Sequence, residues 1–269
     1  PTDVSAVGRK LDEENVRNPS WSPCRRKIFL YETLVSACPV HVFRHFPFFF
    51  QFDTGKGRTD HGAGGLSGWL KNQPFGRQLV ADGSAWWKPC EDAGLSYGWP
   101  VLDDNHHCMG SDNFLQQSAN GLLARVERRK ATAQTDTERD LLAAMAAGLH
   151  SLVTLAARFA DEAARLAAAE EDPAIRKRLQ RVADVARRVP AEPPATFFEA
   201  ANMILFMREV SQALESSGIS ILGHLDRLLW PYYERDLAAG RITRAEAKEL
   251  LGFLLALSDV RFGIRQVPW

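Results

Sequence analysis

The sequence has no excess of either charge, no long apolar run and no sign of a secretion signal. Its 269 residues contain 33 Lys and Arg against 33 Asp and Glu, a formal net charge of zero. A chain without net positive charge has no overall electrostatic field that attracts a polyanion, which argues against a nucleic-acid binder. No run reaches the roughly 20 apolar residues that span a bilayer, and the first residues lack basic and apolar signal regions. We expect a cytoplasmic protein that binds neither membrane nor nucleic acid.

The four cysteines are too scattered for a metal or redox motif. Cys24, Cys38, Cys90 and Cys108 include no C-x-x-C pair, the spacing that zinc ribbons and thioredoxins use. The densest group of ligand-type side chains lies at residues 103–108, but neighbouring residues point in different directions and cannot all reach one ion. We predict no metal site and, at this segment, a polar loop that lines a cavity.

Two glycine-rich stretches stop short of a nucleotide-binding motif. Residues 62–68 would need glycine at position 67 to read G-x-G-x-x-G, and Ser67 stands there. Gly55 and Lys56 lack both the earlier glycine and the Ser or Thr of a phosphate-binding loop. We therefore predict a plain loop over residues 55–69.

The first 135 residues differ in amino-acid composition from the rest of the chain. Residues 1–135 hold 13 of the 19 glycines and 8 of the 14 prolines, so we expect few long helices there beyond residues 25–37 and 114–129. The aromatic run at residues 42–52 contains Pro47, which cannot donate to a strand ladder, and predicts a buried extended segment or an edge strand. We divide one domain into a loop- and aromatic-rich N-terminal part, residues 1–135, and a helical part, residues 136–269.

The helical part marks its helix starts with one repeated pattern. T-x-x-E occurs at Thr135, Thr196 and Thr243, where the Thr and Glu side chains can satisfy first-turn amides reciprocally. Asp172, followed by proline, predicts a fourth start, and Gly240 predicts a left-handed helix end. After the first start, apolar residues at three- and four-residue steps predict one buried stripe: Leu141, Met145, Leu149, Leu152, Ala156, Phe159, Ala163 and Leu166.

Two stretches of this part carry linked motifs. Residues 189–200 read V-P-A-E-P-P-A-T-F-F-E-A, and residues 215–237 read E-S-S-G-I-S-I-L-G-H-L-D-R-L-L-W-P-Y-Y-E-R-D-L, followed shortly by G-R-I-T. They resemble, in the same order, V-P-x-x-P-A-x-T-F-x-E-A and E-S-N-G-H-S-x-S-x-G-R-x-D-Q-Y-x-x-P-Y-Y of the glycyl radical enzymes, the pyruvate formate-lyase-like family. With a weaker match near His106 and Asn120, the resemblance covers about residues 105–260.

The resemblance implies an α/β fold: the mainly helical half of a ten-stranded glycyl-radical-type α/β barrel. In this family a glycine radical, installed by a radical-SAM activase, oxidises a cysteine to a thiyl that reacts with a small-molecule substrate. No stretch here resembles the family's G-C-x-E or R-V-x-G-Y loops, so we expect neither a catalytic residue nor a bound cofactor in this chain. Half a barrel leaves an open sheet edge, so we expect a complementary chain that carries the cysteine and glycine loops and the organic radical.

The resemblance also implies candidate substrate contacts. In diol-dehydratase-like members a G-H-S step places a His and a Ser at the substrate, and Ile219 and Ser220 occupy those positions here. The missing imidazole removes a hydrogen-bond partner for a hydroxyl, which disfavours simple diol dehydration. We predict Ser220 and His107 as polar pocket groups and Trp99 and Phe52 as pocket walls. The alternative for each is a satisfied polar group or a core aromatic.

Three functional hypotheses stay open. The first is the substrate-binding half of a split glycyl-radical lyase that breaks a C–C, C–O, C–N or C–S bond. The second is a catalytically inactive binding or scaffold subunit of the same family. The third is a self-contained hydrolase that uses Cys108 and His107, because a cysteine nucleophile needs a neighbouring base. An adjacent reading frame with the missing loops would favour the first.

Overall fold

A computed structural model of the protein describes residues 4–54, 66, 69, 73–94, 106–108, 110–215 and 219–260. Helices dominate these residues, with four short strands between them. The elements in chain order are α1 (Val4–Arg17), α2 (Pro23–Ala37), β1 (Val40–His41), β2 (Gln51–Phe52), α3 (Pro74–Asp92), β3 (His106–Cys108), α4 (Ser111–Lys130), α5 (Asp136–Ala169), α6 (Pro173–Arg188), α7 (Phe197–Glu215), β4 (Ile219–Ile221), α8 (Leu225–Ala238) and α9 (Arg244–Val260).

The predicted helix starts of the helical part are confirmed. At the start of α5, Thr135 Oγ1 accepts a hydrogen bond from the Glu138 amide at 3.1 Å, and Glu138 Oε2 accepts one from the Thr135 amide at 3.3 Å. The same exchange begins α7 and α9, and Asp172 Oδ1 accepts two amides at the start of α6. Hydrogen bonds from the Gln134 and Thr135 amides lower the pKa of the Glu138 carboxyl.

The end of α8 is also as predicted. Gly240 has φ +64°, its amide donates to the Leu237 carbonyl at 3.1 Å, and the Arg241 amide donates to the Asp236 carbonyl at 2.8 Å. This pair of bonds is the Schellman arrangement, which satisfies two of the last carbonyls of a helix.

The buried stripe of α5 begins one residue later than predicted. Leu141 and Met145 are 53% and 49% exposed, whereas Leu142 and Ala146 are buried. The reason is α4, because Leu142 and Ala146 pack against its Val126, a neighbour that periodicity alone cannot indicate. Further along the helix, four predicted positions are buried: Leu152, Ala156, Phe159 and Ala163. Leu149 and Leu166 are only partly buried.

The length and composition of α5 would also suit a membrane span, with a mean hydropathy of 1.5 in its most apolar window, although the sequence analysis expected no such segment. The helix lies against α2, α4 and α6. Arg158 Nη1 donates hydrogen bonds to the carbonyl of Val35 in α2, at 2.6 Å, and to the carbonyl of Cys38 just after α2, at 2.8 Å. Burial lowers the pKa of this guanidinium. Helices of the same chain therefore pack on one side of α5, and about a third of its most apolar window is buried. A cytoplasmic location stays a prediction.

The N-terminal part is more helical than predicted. The two expected helices appear as α2 and α4, but α1 and α3 were not expected. Leu11 of α1 is fully buried in the same core as Leu30 and Leu34 of α2. Packing between α1 and α2 thus outweighs the local bias of a glycine- and proline-rich region.

The aromatic run at residues 42–52 is a returning loop and not one strand. It leaves β1 and comes back as β2, with Val40 opposite Phe52 in an antiparallel pair. Phe49 in the middle of the run packs on Phe159 of α5 and Phe206 of α7, with ring centroids 5.9 and 5.1 Å apart. Side-chain packing on two helices holds this segment, because Pro47 and the short ladder offer few backbone bonds.

The helix α7 lies at the centre of the core. Its buried residues lie on every side of the helix and include Ala201, Met203, Ile204, Leu205 and Phe206. It contacts α4, α8, α9 and both β2 and β4. A helix that is apolar all round is expected to be buried, and α7 thereby connects the two small sheets.

Candidate functional site

Two strands far apart in the sequence form the candidate site. β3 and β4 pair in parallel, with His106 opposite Ile219, His107 opposite Ser220 and Cys108 opposite Ile221. The two predicted polar pocket residues therefore occupy one register position of the sheet. We call β3 and β4 together the strand pair.

The parallel pairing of β3 and β4 determines which segments lie at the carboxyl ends of the two strands. The carboxyl ends of parallel strands lie at the same edge, which is where open α/β sheets bind ligands. β3 continues through Gly110, with φ +61°, into α4, and β4 continues through Gly223, with φ +78°, into α8. The positive φ values make each turn sharp, which is why glycine suits both positions. The starts of α4 and α8 therefore follow the two strands at this edge.

An apolar recess lies between α4 and α7. It has room for about one water molecule and is lined by Ser111, Phe114, Leu115, Met203, Ile204 and Met207. Ser111 is the first residue of α4, so the recess begins just beyond the end of β3.

Two charged residues lie buried near the end of α7, shortly before β4. Arg208 and Glu209 are 3% and 2% exposed. Glu209 Oε1 accepts a hydrogen bond from the Phe52 amide at 3.1 Å, and burial lowers the pKa of the Arg208 guanidinium. Charges are kept inside proteins where hydrogen bonds or opposite charges offset desolvation. This end of α7 is a polar anchor for β2 within the core.

Of the two residues predicted to form pocket walls, the structure describes only Phe52. Phe52 is fully buried in the hydrophobic core, and β2, which contains it, contacts α7. Trp99 lies outside the described residues, as do residues 55–65 of the predicted loop and residues 103–105 of the predicted polar loop. Residues 106–108 of that predicted polar loop form the strand β3 and not a loop. The roles of Phe52 and Trp99 at a substrate stay predictions.

The described cysteines give little support to thiol chemistry. Cys24, Cys38 and Cys90 form no disulfide. Burial, together with the nearby Asp140 carboxylate, raises the pKa of the Cys24 thiol, and a raised pKa keeps it in the less nucleophilic thiol form. Among the described residues no group of three His, Cys, Asp or Glu side chains is arranged to hold a metal ion. The hydrolase hypothesis for Cys108 and His107 stays a prediction.

Sequence reasoning missed the buried carboxylate of Asp236 in α8. Asp236 Oδ2 accepts a hydrogen bond from the Phe197 amide at 2.8 Å, and its Oδ1 accepts two from Arg241 at 3.0 and 2.8 Å. Asp236 thus ties the start of α7 to the end of α8. The buried residues Arg208 and Glu209 were also not predicted from the sequence. A signal existed for them, since two charged residues stand side by side within a largely apolar helix.

The strand pair, the central helix and the surrounding helices define part of a glycyl-radical-type α/β barrel. Hydroxyproline dehydratase from Clostridioides difficile, solved with substrate bound, superposes with a TM-score of 0.74 at 18% identity, over 95% of this chain and 37% of that one. A glycyl radical enzyme from Archaeoglobus fulgidus superposes with a TM-score of 0.69 at 17% identity, over 92% and 37%. The predicted fold class is confirmed.

Sequence comparison gives the family. The family described as Pyruvate formate lyase-like matches residues 83–267. Isethionate sulfite-lyase of Nitratidesulfovibrio vulgaris is 37% identical over 115 residues, which cover 42% of this chain and 14% of that protein. Trans-4-hydroxy-L-proline dehydratase of Clostridioides difficile is 37% identical over 111 residues, 41% of this chain and 14% of that protein. The chain belongs to the pyruvate formate lyase-like family, and these alignments span about a seventh of the curated relatives' length.

Proposed function

We propose that this chain forms part of the substrate-binding wall of a glycyl-radical lyase or dehydratase, and that a separate chain supplies the reacting cysteine and glycine. The observation that carries the proposal is the register of the strand pair, in which His107 lies opposite Ser220. Ser220 lies in the matched G-H-S step and His107 in the weaker match near residue 106, at the carboxyl-end region where α/β folds bind ligands. The sequence has no stretch like the family's G-C-x-E and R-V-x-G-Y loops, so in this proposal the reacting cysteine and glycine come from outside these 269 residues.

Each residue has a defined chemical task in this proposal. A radical on the partner chain would supply hydrogen abstraction from the substrate. His107 can accept or donate a proton at a substrate hydroxyl, and Ser220 can donate a hydrogen bond to an oxygen of the same substrate. The apolar side chains of α7 exclude water, which strengthens these polar contacts.

The names of the relatives narrow the substrate class. Isethionate sulfite-lyase, trans-4-hydroxy-L-proline dehydratase and (2S)-3-sulfopropanediol dehydratase are named for small hydroxylated molecules, whereas indoleacetate decarboxylase is named for a substrate without a hydroxyl. Ile219 stands where diol-dehydratase-like members carry His, so the site has one hydrogen-bonding group fewer for a second hydroxyl. We therefore propose a small substrate with a single hydroxyl, which either leaves in the reaction or lies on the carbon next to the bond that breaks.

Reconstitution tests the proposal. The full chain is co-expressed under anoxic conditions with a polypeptide bearing the cysteine and glycine loops and with a radical-SAM activase. We expect a glycyl radical doublet by electron paramagnetic resonance, and turnover of isethionate or trans-4-hydroxy-L-proline only when this chain is present. Turnover that is unchanged without this chain would exclude a role in substrate binding.

Variants of the strand pair sharpen this test. His107→Gln should lower turnover about 100-fold, and Ser220→Ala about tenfold, the loss of one substrate hydrogen bond. The number of radical spins should stay the same in both, since neither residue takes part in activation. His150→Gln, at an exposed position of α5, is the matched control and should keep full turnover.

A second candidate function is a non-catalytic subunit of the same assembly. The observation that favours it is Ile219 at the position of the family's substrate histidine. In that case the chain would still bind its partner, but turnover would be absent even with the radical formed and with every hydroxylated substrate tried.

A further inference from the structure

The helix α4 is interrupted in its first half. Ser118 has φ +61° and ψ 176°, a combination that residues other than glycine rarely adopt. The amides of Ala119 and Asn120 donate to the carbonyls of Pro190 and Ala191 at 2.8 and 3.2 Å, outside the helix. The regular ladder is therefore broken between residues 111–117 and residues 119–130.

The segment before the break has a left-handed residue at each end. Gly110 precedes it with φ +61°, and Ser118 follows it with the same φ. Within the segment the Phe114 amide donates to the Gly110 carbonyl at 3.1 Å. Residues 111–117, which we call the cover segment, are thus one short helical piece between two sharp turns.

The two pieces of α4 pack on different helices. In the cover segment, Phe114 and Leu115 face Met203 and Met207 of α7 across the apolar recess. In the second piece, Val126 packs against α5. At the surface, Arg125 Nη1 donates to Gln117 Oε1 at 2.9 Å and bridges the break.

Three features favour movement of the cover segment as a unit. Its underside packs on α7 at the recess, and α4 has a smaller contact with α7 than with α5, which holds the second piece. Two of the recess side chains, Met203 and Met207, are unbranched and adapt readily to a changed neighbour. The backbone conformation of Ser118 stores strain in the closed arrangement, and such strain is released when the segment turns away.

We propose that residues 111–117 are a hinged cover, which turns about Gly110 and Ser118 and opens the recess between α4 and α7 at the carboxyl end of β3. The second piece of α4 stays in place, because the amides after Ser118 are fixed to the carbonyls of residues 190 and 191. This inference goes beyond the proposed function and does not depend on the substrate or on a partner chain.

Hydrogen exchange of the full chain tests the cover. The amides of residues 114–117 should exchange about tenfold faster than those of residues 123–127, because opening exposes the first group alone. Equal rates for the two groups would overturn the proposal, and this comparison needs no variant.

Substitution at the hinge gives an independent measurement. Ser118→Gly removes the strain of the closed state and should slow exchange of residues 114–117 at least threefold, even after the extra freedom of glycine is included. Ser118→Ala is the matched control, since it keeps the strained backbone and removes only the hydroxyl that faces the Gly121 amide at 3.5 Å. Exchange that is unchanged or faster in Ser118→Gly than in Ser118→Ala would overturn the hinge.

Discussion

The helical part and the N-terminal part of the chain are held in place by contacts of different range. Among the described helices after residue 135, α5, α6, α7 and α9 begin with side chains that cap amides two or three residues away, whereas α8 has no such cap. The aromatic loop at residues 42–52 depends on partners more than a hundred residues away, among them Glu170 for Arg44 and Glu209 for the Phe52 amide. The helical part can therefore specify its elements locally, whereas the aromatic loop takes its shape from the helices on which it lies.

The largest expected effect comes from the residue on which both parts pack. Phe159 of α5 is fully buried between Phe49 of the loop and Phe206 of α7. Phe159→Ala should lower the free energy of unfolding by about 3–5 kcal/mol, as measured by urea denaturation. Leu141→Ala, on the same helix and in the predicted stripe, is the control. Its exposed side chain should change stability by less than about 0.5 kcal/mol. Similar losses in the two variants would contradict the packing described.

A smaller effect is expected from the polar anchor of the loop. Glu209→Ala leaves the buried Phe52 amide without its acceptor, which should lower the free energy of unfolding by about 1–3 kcal/mol. The Phe52 amide should also exchange faster in hydrogen-exchange measurements. The control is Glu215→Ala at the exposed end of the same helix, where the carboxylate pairs with Lys27 at 2.8 Å. Exposed pairs contribute about 0–1 kcal/mol. A Phe52 amide that exchanges equally in both variants would show that Glu209 does not hold β2.

The smallest expected effect depends on pH. Arg44 Nε and Nη2 donate to Glu170 Oε2 and Oε1 at 2.5 and 2.6 Å. These bonds, with one from the Asp172 amide, lower the pKa of the Glu170 carboxyl to about 2 from 4.5. A carboxyl whose pKa is lower in the folded state stabilises the fold fully above its unfolded pKa. That contribution is lost as the pH falls from about 4.5 through about 2.

The pair can therefore be tested by acid titration. The stability difference between the unsubstituted protein and Glu170→Gln should be constant near neutral pH and disappear as the pH approaches 2. Glu171→Gln, at the exposed neighbouring position, should show no such pH-dependent difference. A difference for Glu170→Gln that persists unchanged at pH 2 would contradict the role of the ionised carboxylate.

The sequence predicted much of the helical part because the relevant signals are local. Thr135 and Glu138 lie within one turn, so their reciprocal hydrogen bonds follow from residue spacing alone. The stripe of α5 was predicted well around Phe159 but not at Leu141. Which flank of a helix is buried depends on the helix that packs there, and here that helix is α4.

The candidate site was predicted only in outline. The motif resemblance selected His107 and Ser220, but their common register position comes from the pairing of β3 with β4. The recess and the interruption at Ser118 had no local signal, since Ser118 is an ordinary residue in a helical stretch. Its backbone conformation accompanies hydrogen bonds to residues 190 and 191, which adjoin a different helix.

By itself the sequence determined where most helices of the second part begin, where α8 ends and to which family the chain belongs. These features depend on groups a few residues apart or on the order of motifs along the chain. Only the tertiary structure decided that the aromatic run returns on itself, that α7 buries Arg208 and Glu209, and that α4 breaks at Ser118. Each of these results from desolvation, packing or hydrogen bonding between segments that meet only after the chain has folded.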